Sequence, residues 1–224
     1  AIGMNAEIHT FPEQIGSREL KEFIQDLNHG SHVDGIIIQL PLPDPYSERS
    51  ILSAVDPRLD VDGLHPDNFG RLLGGGEPRY YPPTPLGIMQ LLEHYEVECT
   101  GLRAVLVGMG RLVGRPLSQM LLNRDATVVC LNKETRNLRE WTRRGELLVA
   151  GAGVPELIGG EDVRPGSVVI DAGIHSTEQG LVGDVNFEEA GEVARLITPV
   201  PGGVGPLTVA NLLKNTVESA RNDG

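Results

Sequence analysis

Four short apolar segments between residues 104 and 170 constrain the fold more than any other feature. They span residues 104–107, 127–131, 147–150 and 168–170, and each is bounded by glycine or polar residues. Continuous apolar runs of this length are typical of strands that are buried on both faces. Because a helical pattern over residues 114–123 separates the first two runs, the alternation predicts a parallel, doubly wound sheet.

The first part of the chain carries a helix and a further apolar run. Residues 17–29 repeat apolar side chains at helical spacing, with Ser17 able to cap the start and Gly30 able to end the helix. Residues 33–42 contain three successive isoleucines and predict another strand that is buried on both faces.

Two more predicted helices, residues 85–94 and 206–220, bracket the strand-rich part. The sequence therefore predicts an α/β protein of two domains with a cleft between them. Residues 85–205 would form a Rossmann-like dinucleotide-binding domain, and residues 1–84 with 206–224 a smaller α/β catalytic domain. Because the first residue is not methionine, the smaller domain is expected to be N-terminally incomplete.

Composition argues against several classes of partner. The net charge of −12 would repel phosphate groups, so neither nucleic acid nor an anionic membrane is expected to bind. No apolar run reaches the length of a membrane span. The two cysteines, Cys99 and Cys130, are far apart and suggest neither a disulfide framework nor a metal site, which favours a reducing cytoplasm. No metal is predicted.

A glycine turn follows the first predicted strand. Gly108, Gly110 and Gly114 lie between the apolar run and the start of the next helix. Glycines at such a turn let the backbone approach a pyrophosphate, and the helix start supplies free N–H groups. The spacing is one residue longer than the standard fingerprint, so it fits cofactor binding and a plain strand–helix turn equally well.

Three other segments carry candidate chemistry. Gln39 ends a predicted strand, where it either caps the strand or faces a site at the carboxyl edge of the sheet. Residues 60–68 contain paired carboxylates in a turn rich in side-chain caps, without a compact set of metal ligands. Residues 199–208 alternate proline and glycine, which predicts a rigid loop that serves as a hinge, packs against a flat ligand, or does both.

Together these segments resemble one family, the bifunctional methylenetetrahydrofolate dehydrogenase/cyclohydrolases. The motifs occur in the family's order: Gln-Leu-Pro-Leu-Pro from Gln39, Asp-Val-Asp-Gly-Leu-His-Pro from Asp60, Pro-Thr-Pro-Leu-Gly-Ile from Pro83, the glycine turn, and Pro-Gly-Gly-Val-Gly-Pro from Pro201. The resemblance covers essentially the whole chain. Its first and last motifs are far more specific than the glycine turn.

The resemblance implies oxidation of 5,10-methylenetetrahydrofolate with NADP or NAD, followed by hydrolysis to 10-formyltetrahydrofolate, in one-carbon metabolism and purine biosynthesis. It implies catalytic roles for Gln39, which tunes a catalytic lysine, and for Asp62, which holds the pterin ring. The implied substrate contacts are Asp62, Pro201, Gly202 and Val204. The implied cofactor contacts are Thr84, Gly108, Met109, Gly110, Leu112, Val113, Asn132, Ile174 and Thr208. A cytoplasmic homodimer is also implied.

The sequence departs from the family pattern in two ways. The family's lysine belongs to a Tyr-x-x-x-Lys motif, which residues 1–224 do not contain, and the chain is expected to begin just after it. The family's arginine and serine that hold the 2′-phosphate of NADP correspond here to Met109 and Asn132. These changes slightly favour NAD, unless Arg111 supplies the missing cation.

Two alternatives stay open at this point. One is a folate- or dinucleotide-binding pseudoenzyme that lacks the catalytic lysine. The other is a different α/β dehydrogenase with another substrate, although the motifs around Gln39 and Asp62 argue against it.

Overall fold

The computed structural model describes residues 3–178 and 180–222. In this part of the chain the helices are α1 (Ser17–Asn28), α2 (Glu48–Leu52), α3 (Pro66–Leu73), α4 (Pro83–His94), α5 (Gly114–Leu122), α6 (Leu138–Thr142), α7 (Phe187–Gly191) and α8 (Val204–Asn222). The strands are β1 (Arg103–Val107), β2 (Thr127–Leu131), β3 (Leu147–Ala150), β4 (Val168–Asp171), β5 (His175–Thr177), β6 (Gly180–Val182) and β7 (Leu196–Ile197). None of these helices is both long and apolar enough to cross a lipid bilayer.

Five of the strands form one parallel sheet in the order β2-β1-β3-β4-β7. The strands predicted from the four apolar runs are confirmed as β1 to β4. The chain leaves β1 to one side for β2 and then crosses to the other side for β3. The carboxyl end of β1 is therefore a topological switch point, which is where open α/β sheets bind their ligands.

Both faces of the sheet are covered, which explains why its strands are continuously apolar. On one face Leu106 and Val149 pack in a cluster with Ile88 of α4 and Leu117 of α5. On the other face lies a second cluster, formed by Val105, Val107, Leu131, Leu148, Ala150, Ile158, Val163, Val169, Val185 and Ala190. The predicted α/β class with a parallel sheet is confirmed.

The predicted helices are present, with bounds shifted by a few residues. α1 begins at Ser17, but Gly16 occupies the N-cap position and no side chain caps the helix, so the predicted capping role of Ser17 is wrong. α4 begins at Pro83 and α8 at Val204, each slightly earlier than predicted.

The strand predicted over residues 33–42 is wrong. Ile36 is buried in a cluster with Ile24 and Ile51, but Ile37 is 50% exposed, so the segment is covered on one side only. The N–H group of Ile36 donates to the carbonyl oxygen of Leu59 at 2.8 Å. No strand of residues 3–178 or 180–222 lies beside the segment to form a ladder.

Helix α8 joins distant parts of the chain. Buried Asn211 exchanges side-chain hydrogen bonds with Gln90 of α4, at 2.9 and 3.1 Å. One turn later, buried Asn215 donates through Nδ2 to the carbonyl oxygens of Val61 and Tyr81, at 2.8 and 3.1 Å. The helix therefore fixes the segments around residues 61 and 81 next to each other.

Candidate active site

Loops from four strands meet at one edge of the sheet. Because β1, β3, β4 and β7 are parallel, the segments that follow them leave from the same side. These segments are residues 108–113, 151–153, 172–174 and 198–203. Many of the residues that the family resemblance assigns to the cofactor and the folate lie in these loops.

The turn after β1 needs glycine at its first position. Gly108 has a φ of +98°, and a Cβ added there would lie on the carbonyl oxygen of Gly151. Gly110 differs, because nothing lies within 4 Å of the position that its Cβ would take. Gly108 is therefore required by the fold itself, whereas the open space at Gly110 leaves its backbone accessible to a ligand.

The same turn offers a row of unused donors. The backbone N–H groups of residues 109–114 make no hydrogen bond within the described residues, and the last of them opens helix α5. Free N–H groups at a helix start favour an anion. The residues present thus fit the pyrophosphate of a dinucleotide. Of the predicted contacts here, Met109 and Val113 pack partly on the core, and Leu112 is 44% exposed.

Two buried carboxylates fix the neighbouring loops. Asp184 is fully buried, and its Oδ2 accepts from the N–H groups of Ala152 and Gly153, in the loop after β3. Its other oxygen lies 2.7 Å from Nε2 of His175. The loop that faces Gly108 is therefore held by a carboxylate from a distant part of the chain.

Asp171 plays a similar part at the end of β4. Its carboxylate accepts from the N–H groups of Gly173, Asp184 and Val185, at 2.9 to 3.0 Å. Burial raises the pKa of Asp171. The family resemblance assigns no role to Asp171. Its place at the end of an apolar run in the sequence is the signal that marks it as a functional candidate.

The carboxylates of Asp60 and Asp62 have different surroundings. Asp60 is buried and accepts from the N–H groups of Leu64 and His65 and from Nδ2 of Asn68, at 3.1, 2.8 and 2.6 Å. Burial raises the pKa of Asp60. Its acceptor positions serve the turn itself, so the predicted turn rich in side-chain caps is confirmed.

Asp62 keeps its acceptor positions unused. Its side chain is mostly buried, and no hydrogen bond to it is formed within residues 3–178 and 180–222. Burial, and then the negative charge of Asp60, raise the pKa of Asp62 to about 6. A buried carboxylate without partners is costly unless a ligand supplies donors, and a pair of N–H groups on a flat ring would do so.

Asp62 lies on a segment that adjoins the predicted cofactor contacts. The carbonyl oxygens of Val61 and Tyr81 share the donor group of Asn215, so the two segments are neighbours. The second segment leads into α4, where Thr84 accepts a hydrogen bond from Thr208 of α8 at 2.9 Å. The structure thus brings together Thr84 and Thr208, which the family resemblance assigns to the same ligand, the cofactor.

The remaining predicted substrate residues differ in their exposure to solvent. Gln39 is exposed, and its Nε2 donates at 3.3 Å to the carbonyl oxygen of Leu40. Pro201 and Gly202 are exposed in the loop before α8. Val204 is only 4% exposed and packs in the core, so its backbone is the part available to a ligand. No hydrogen bond joins Gln39 to Asp62 or Gly202.

The last two predicted cofactor residues lie at opposite ends of this edge. Ile174 follows β4 and is 64% exposed. Asn132 follows β2 and is also exposed, but its Oδ1 accepts from the N–H of Glu134 at 2.9 Å. The side chain of Asn132 is therefore engaged in its own turn.

Comparisons with known proteins identify the family. The sequence profile described as "Tetrahydrofolate dehydrogenase/cyclohydrolase, NAD(P)-binding domain" matches residues 82–224, and the profile of the catalytic domain of the same family matches residues 1–62. The chain belongs to the tetrahydrofolate dehydrogenase/cyclohydrolase family. The resemblance drawn from the ordered motifs is confirmed.

Individual members of the family are similar over nearly the whole chain. A "Bifunctional protein FolD" of Lactococcus lactis is 47% identical over 221 residues, which cover 98% of this chain and 77% of that protein. The protein of the same name from Thermus thermophilus is 46% identical over 220 residues, with 98% and 77% covered.

Solved structures of the family share the fold. The bifunctional FolD of Campylobacter jejuni superposes with a TM-score of 0.89 at 46% identity, over 95% of this chain and 76% of that one. FolD of Trypanosoma brucei, solved with NADP and an inhibitor, gives a TM-score of 0.87 at 37% identity, over 95% and 75%.

Proposed function

We propose that this protein oxidises 5,10-methylenetetrahydrofolate with a nicotinamide dinucleotide and hydrolyses the methenyl product to 10-formyltetrahydrofolate. The observation that carries the proposal is the unpartnered, mostly buried carboxylate of Asp62 in a member of this family. The bifunctional relatives support it, and nothing in the comparisons favours a pseudoenzyme.

Each part of the site has a proposed task. Ionised Asp62 accepts hydrogen bonds from the N–H groups of the pterin edge, while Pro201, Gly202 and Val204 line the folate pocket. The cofactor, when bound, supplies the acceptor for a hydride. The N–H groups of residues 109–114 hold its pyrophosphate, and Thr84 and Thr208 orient its reactive end.

Gln39 is proposed to tune a proton-transfer group by hydrogen bonding. The weak bond from its own amide to Leu40 leaves the side-chain carbonyl oxygen available. We assign the proton-transfer role to none of the three lysines of this sequence. Lys21 donates to Ser50 at 2.5 Å, Lys214 pairs with Glu218, and Lys133 is exposed in the turn after β2.

The proposed division places residues 85–205 in the dinucleotide domain and residues 1–84 with 206–224 in the catalytic domain. The cleft between them would be lined by Gln39, Asp62 and Gly202. The two bonds from Asn215, which tie α8 to the segment at Val61, support assigning the end of the chain to the catalytic domain.

A steady-state assay on the intact protein tests the function. With 5,10-methylenetetrahydrofolate and NADP or NAD, we expect reduced cofactor and 10-formyltetrahydrofolate to appear together. Tight binding of both ligands without either product would instead identify a pseudoenzyme. Cofactor reduction with a different substrate alone would identify another kind of dehydrogenase.

Replacing Met109 with arginine should shift cofactor preference toward NADP. Methionine offers the 2′-phosphate no donor, so the unmutated protein should use NAD as well as NADP or better. One charge-assisted contact changes the ratio of kcat/KM for the two cofactors by about one to two powers of ten. Leu122→Arg is the control, because it adds the same charge at the exposed end of α5. A strong NADP preference before mutation would refute this prediction.

We also propose that the protein is a cytoplasmic homodimer. The exposed apolar side chain of Leu181, in the β5–β6 hairpin, supports the dimer. The free thiols of Cys99 and Cys130 are consistent with a reducing compartment. Light scattering at micromolar concentration should give twice the mass of the chain, and a monomer alone would contradict the proposal.

A further inference from the structure

An ion pair links the glycine turn to a helix in the first part of the chain. Nε of Arg111 lies 3.4 Å from Oε2 of Glu48, in the first turn of α2. The two side chains are 25% and 33% exposed, so the pair is partly shielded from solvent.

The guanidinium of Arg111 forms an ion pair but still has hydrogen-bonding capacity to spare. Its Nε is buried and makes no well-formed hydrogen bond within the described residues, Glu48 included. Arg111 is the only cationic residue among residues 108–113. The nearby Arg115 donates from its own Nε to the carbonyl oxygen of Met109 at 3.0 Å, so that side chain folds back on the turn.

A 2′-phosphate would find no cation other than Arg111 among residues 108–113, and the free N–H groups of the turn are proposed to hold the pyrophosphate. The 2′-phosphate carries nearly two negative charges and needs a cation or several donors. Met109 offers no donor, and Asn132, whose Oδ1 accepts from the N–H of Glu134, can offer only the neutral NH₂ group of its amide. Arg111 is the remaining cation of the turn, and Glu48 competes for it.

We propose that Glu48 is a specificity-determining residue: by holding Arg111 it denies a cation to the 2′-phosphate and lowers the affinity for NADP relative to NAD. This inference rests on the proposed function, because it requires a dinucleotide at the glycine turn. The pyrophosphate, which both cofactors carry, is the other group that Arg111 could bind. Only capture of the 2′-phosphate changes the ratio of the two affinities.

The test is a titration of the intact protein and its variants with NAD and NADP. Glu48→Gln removes the charge at nearly constant size, so Kd for NADP should fall at least about tenfold while Kd for NAD changes less than about twofold. In Glu48→Gln/Arg111→Gln the gain should disappear. Arg111→Gln alone should leave the ratio of the two Kd values unchanged, because Glu48 already sequesters that side chain.

Glu19→Gln is the matched control. Glu19 lies in the first turn of α1 as Glu48 does in α2, so its replacement also removes a negative charge from the first turn of a helix. This variant should bind both cofactors like the unmutated protein. If Glu48→Gln merely weakened the fold, the affinity for NAD would fall as well, and a thermal melt would show it.

Three results would overturn the inference. The ratio of affinities could stay unchanged in Glu48→Gln, or both cofactors could gain equally, which would assign Arg111 to the pyrophosphate. The gain could also survive Arg111→Gln and vanish with Arg115→Gln. Failure of the unmutated protein to bind any dinucleotide would defeat the proposed function as well, whereas binding with an unchanged ratio would defeat this inference alone.

Discussion

Asp62→Asn is expected to stabilise the ligand-free protein while removing most of its affinity for folate. Raising the pKa of this carboxyl from 3.8 to about 6 means that the ionised form costs the fold about 3 kcal/mol at neutral pH. Asparagine is neutral and avoids that cost. It presents an NH₂ group where the pterin needs an acceptor, so binding should weaken by about 1–3 kcal/mol or more.

The sign of the pH dependence follows from the raised pKa. Between about pH 4 and pH 6 the folded protein holds a proton on Asp62 that the unfolded chain has lost, so the contribution of Asp62 to stability falls as the pH rises. Above about pH 6 the contribution is constant. The difference in unfolding free energy between Asp62→Asn and the unmutated protein should therefore be small near pH 4 and level off above pH 6.

Urea unfolding at a series of pH values measures the stability, and a folate titration measures the binding. Asp34→Asn serves as the control, because Asp34 is exposed and the change should affect neither quantity. A variant that is less stable than the unmutated protein at pH 7.5, or that binds folate equally well, would contradict the role given to Asp62.

Gly108→Ala should unfold the cofactor turn, whereas Gly110→Ala should leave it intact. The added Cβ at Gly108 collides with the backbone of Gly151 and also requires a positive φ, so we expect a loss of about 3 kcal/mol or more of stability. Dinucleotide affinity should fall by a factor of about one hundred or more. Gly110 has open space around its Cβ position, so that variant should melt like the unmutated protein.

Comparing these two variants separates the effect of a glycine on folding from its effect on dinucleotide binding. If the backbone at Gly110 approaches the pyrophosphate, Gly110→Ala should weaken dinucleotide binding without changing the melting temperature. Equal stability of Gly108→Ala and Gly110→Ala would show that the turn relaxes around the added methyl group. The description of Gly108 as a position that only glycine can occupy would then be wrong.

The central sheet could be predicted from the sequence because burial on both faces leaves a local signature. Residues 104–107 have no polar member, and a strand with a water-facing side would alternate. The short strands β5 to β7 carry no such signature. They are set by contacts between segments: the N–H groups of Asp184 and Val185, just after β6, donate to the carboxylate of Asp171, and His175 of β5 contacts Asp184.

The run at residues 33–42 shows where the same signature misleads. Three isoleucines in a row indicate an extended chain beside apolar neighbours, but not that another strand pairs with it. Ile36 is buried in the core and Ile37 is half-exposed, and neither placement requires a neighbouring strand. Strand pairing depends on a partner elsewhere in the chain, which a local pattern does not contain.

Candidate site residues could be named from motifs, but their hydrogen-bond and ion-pair partners could not. The sequence places Asp60 and Asp62 two residues apart, and the structure shows that one is saturated by its own turn while the other lacks partners. The sequence likewise does not show the direction of the Arg111 side chain, which lies beside Glu48 of a distant segment. Both facts depend on segments that lie far apart in the sequence.

Transfer of an isotopic label tests the central claim most directly. The intact protein would be given 5,10-methylenetetrahydrofolate carrying deuterium on the methylene carbon, together with NAD or NADP, and the reduced cofactor would be analysed by mass spectrometry. Our account predicts one deuterium in the reduced nicotinamide and a matching loss from the folate, and predicts that Asp62→Asn slows the transfer. Reduced cofactor without label, or no reduction by the unmutated protein, would contradict the account.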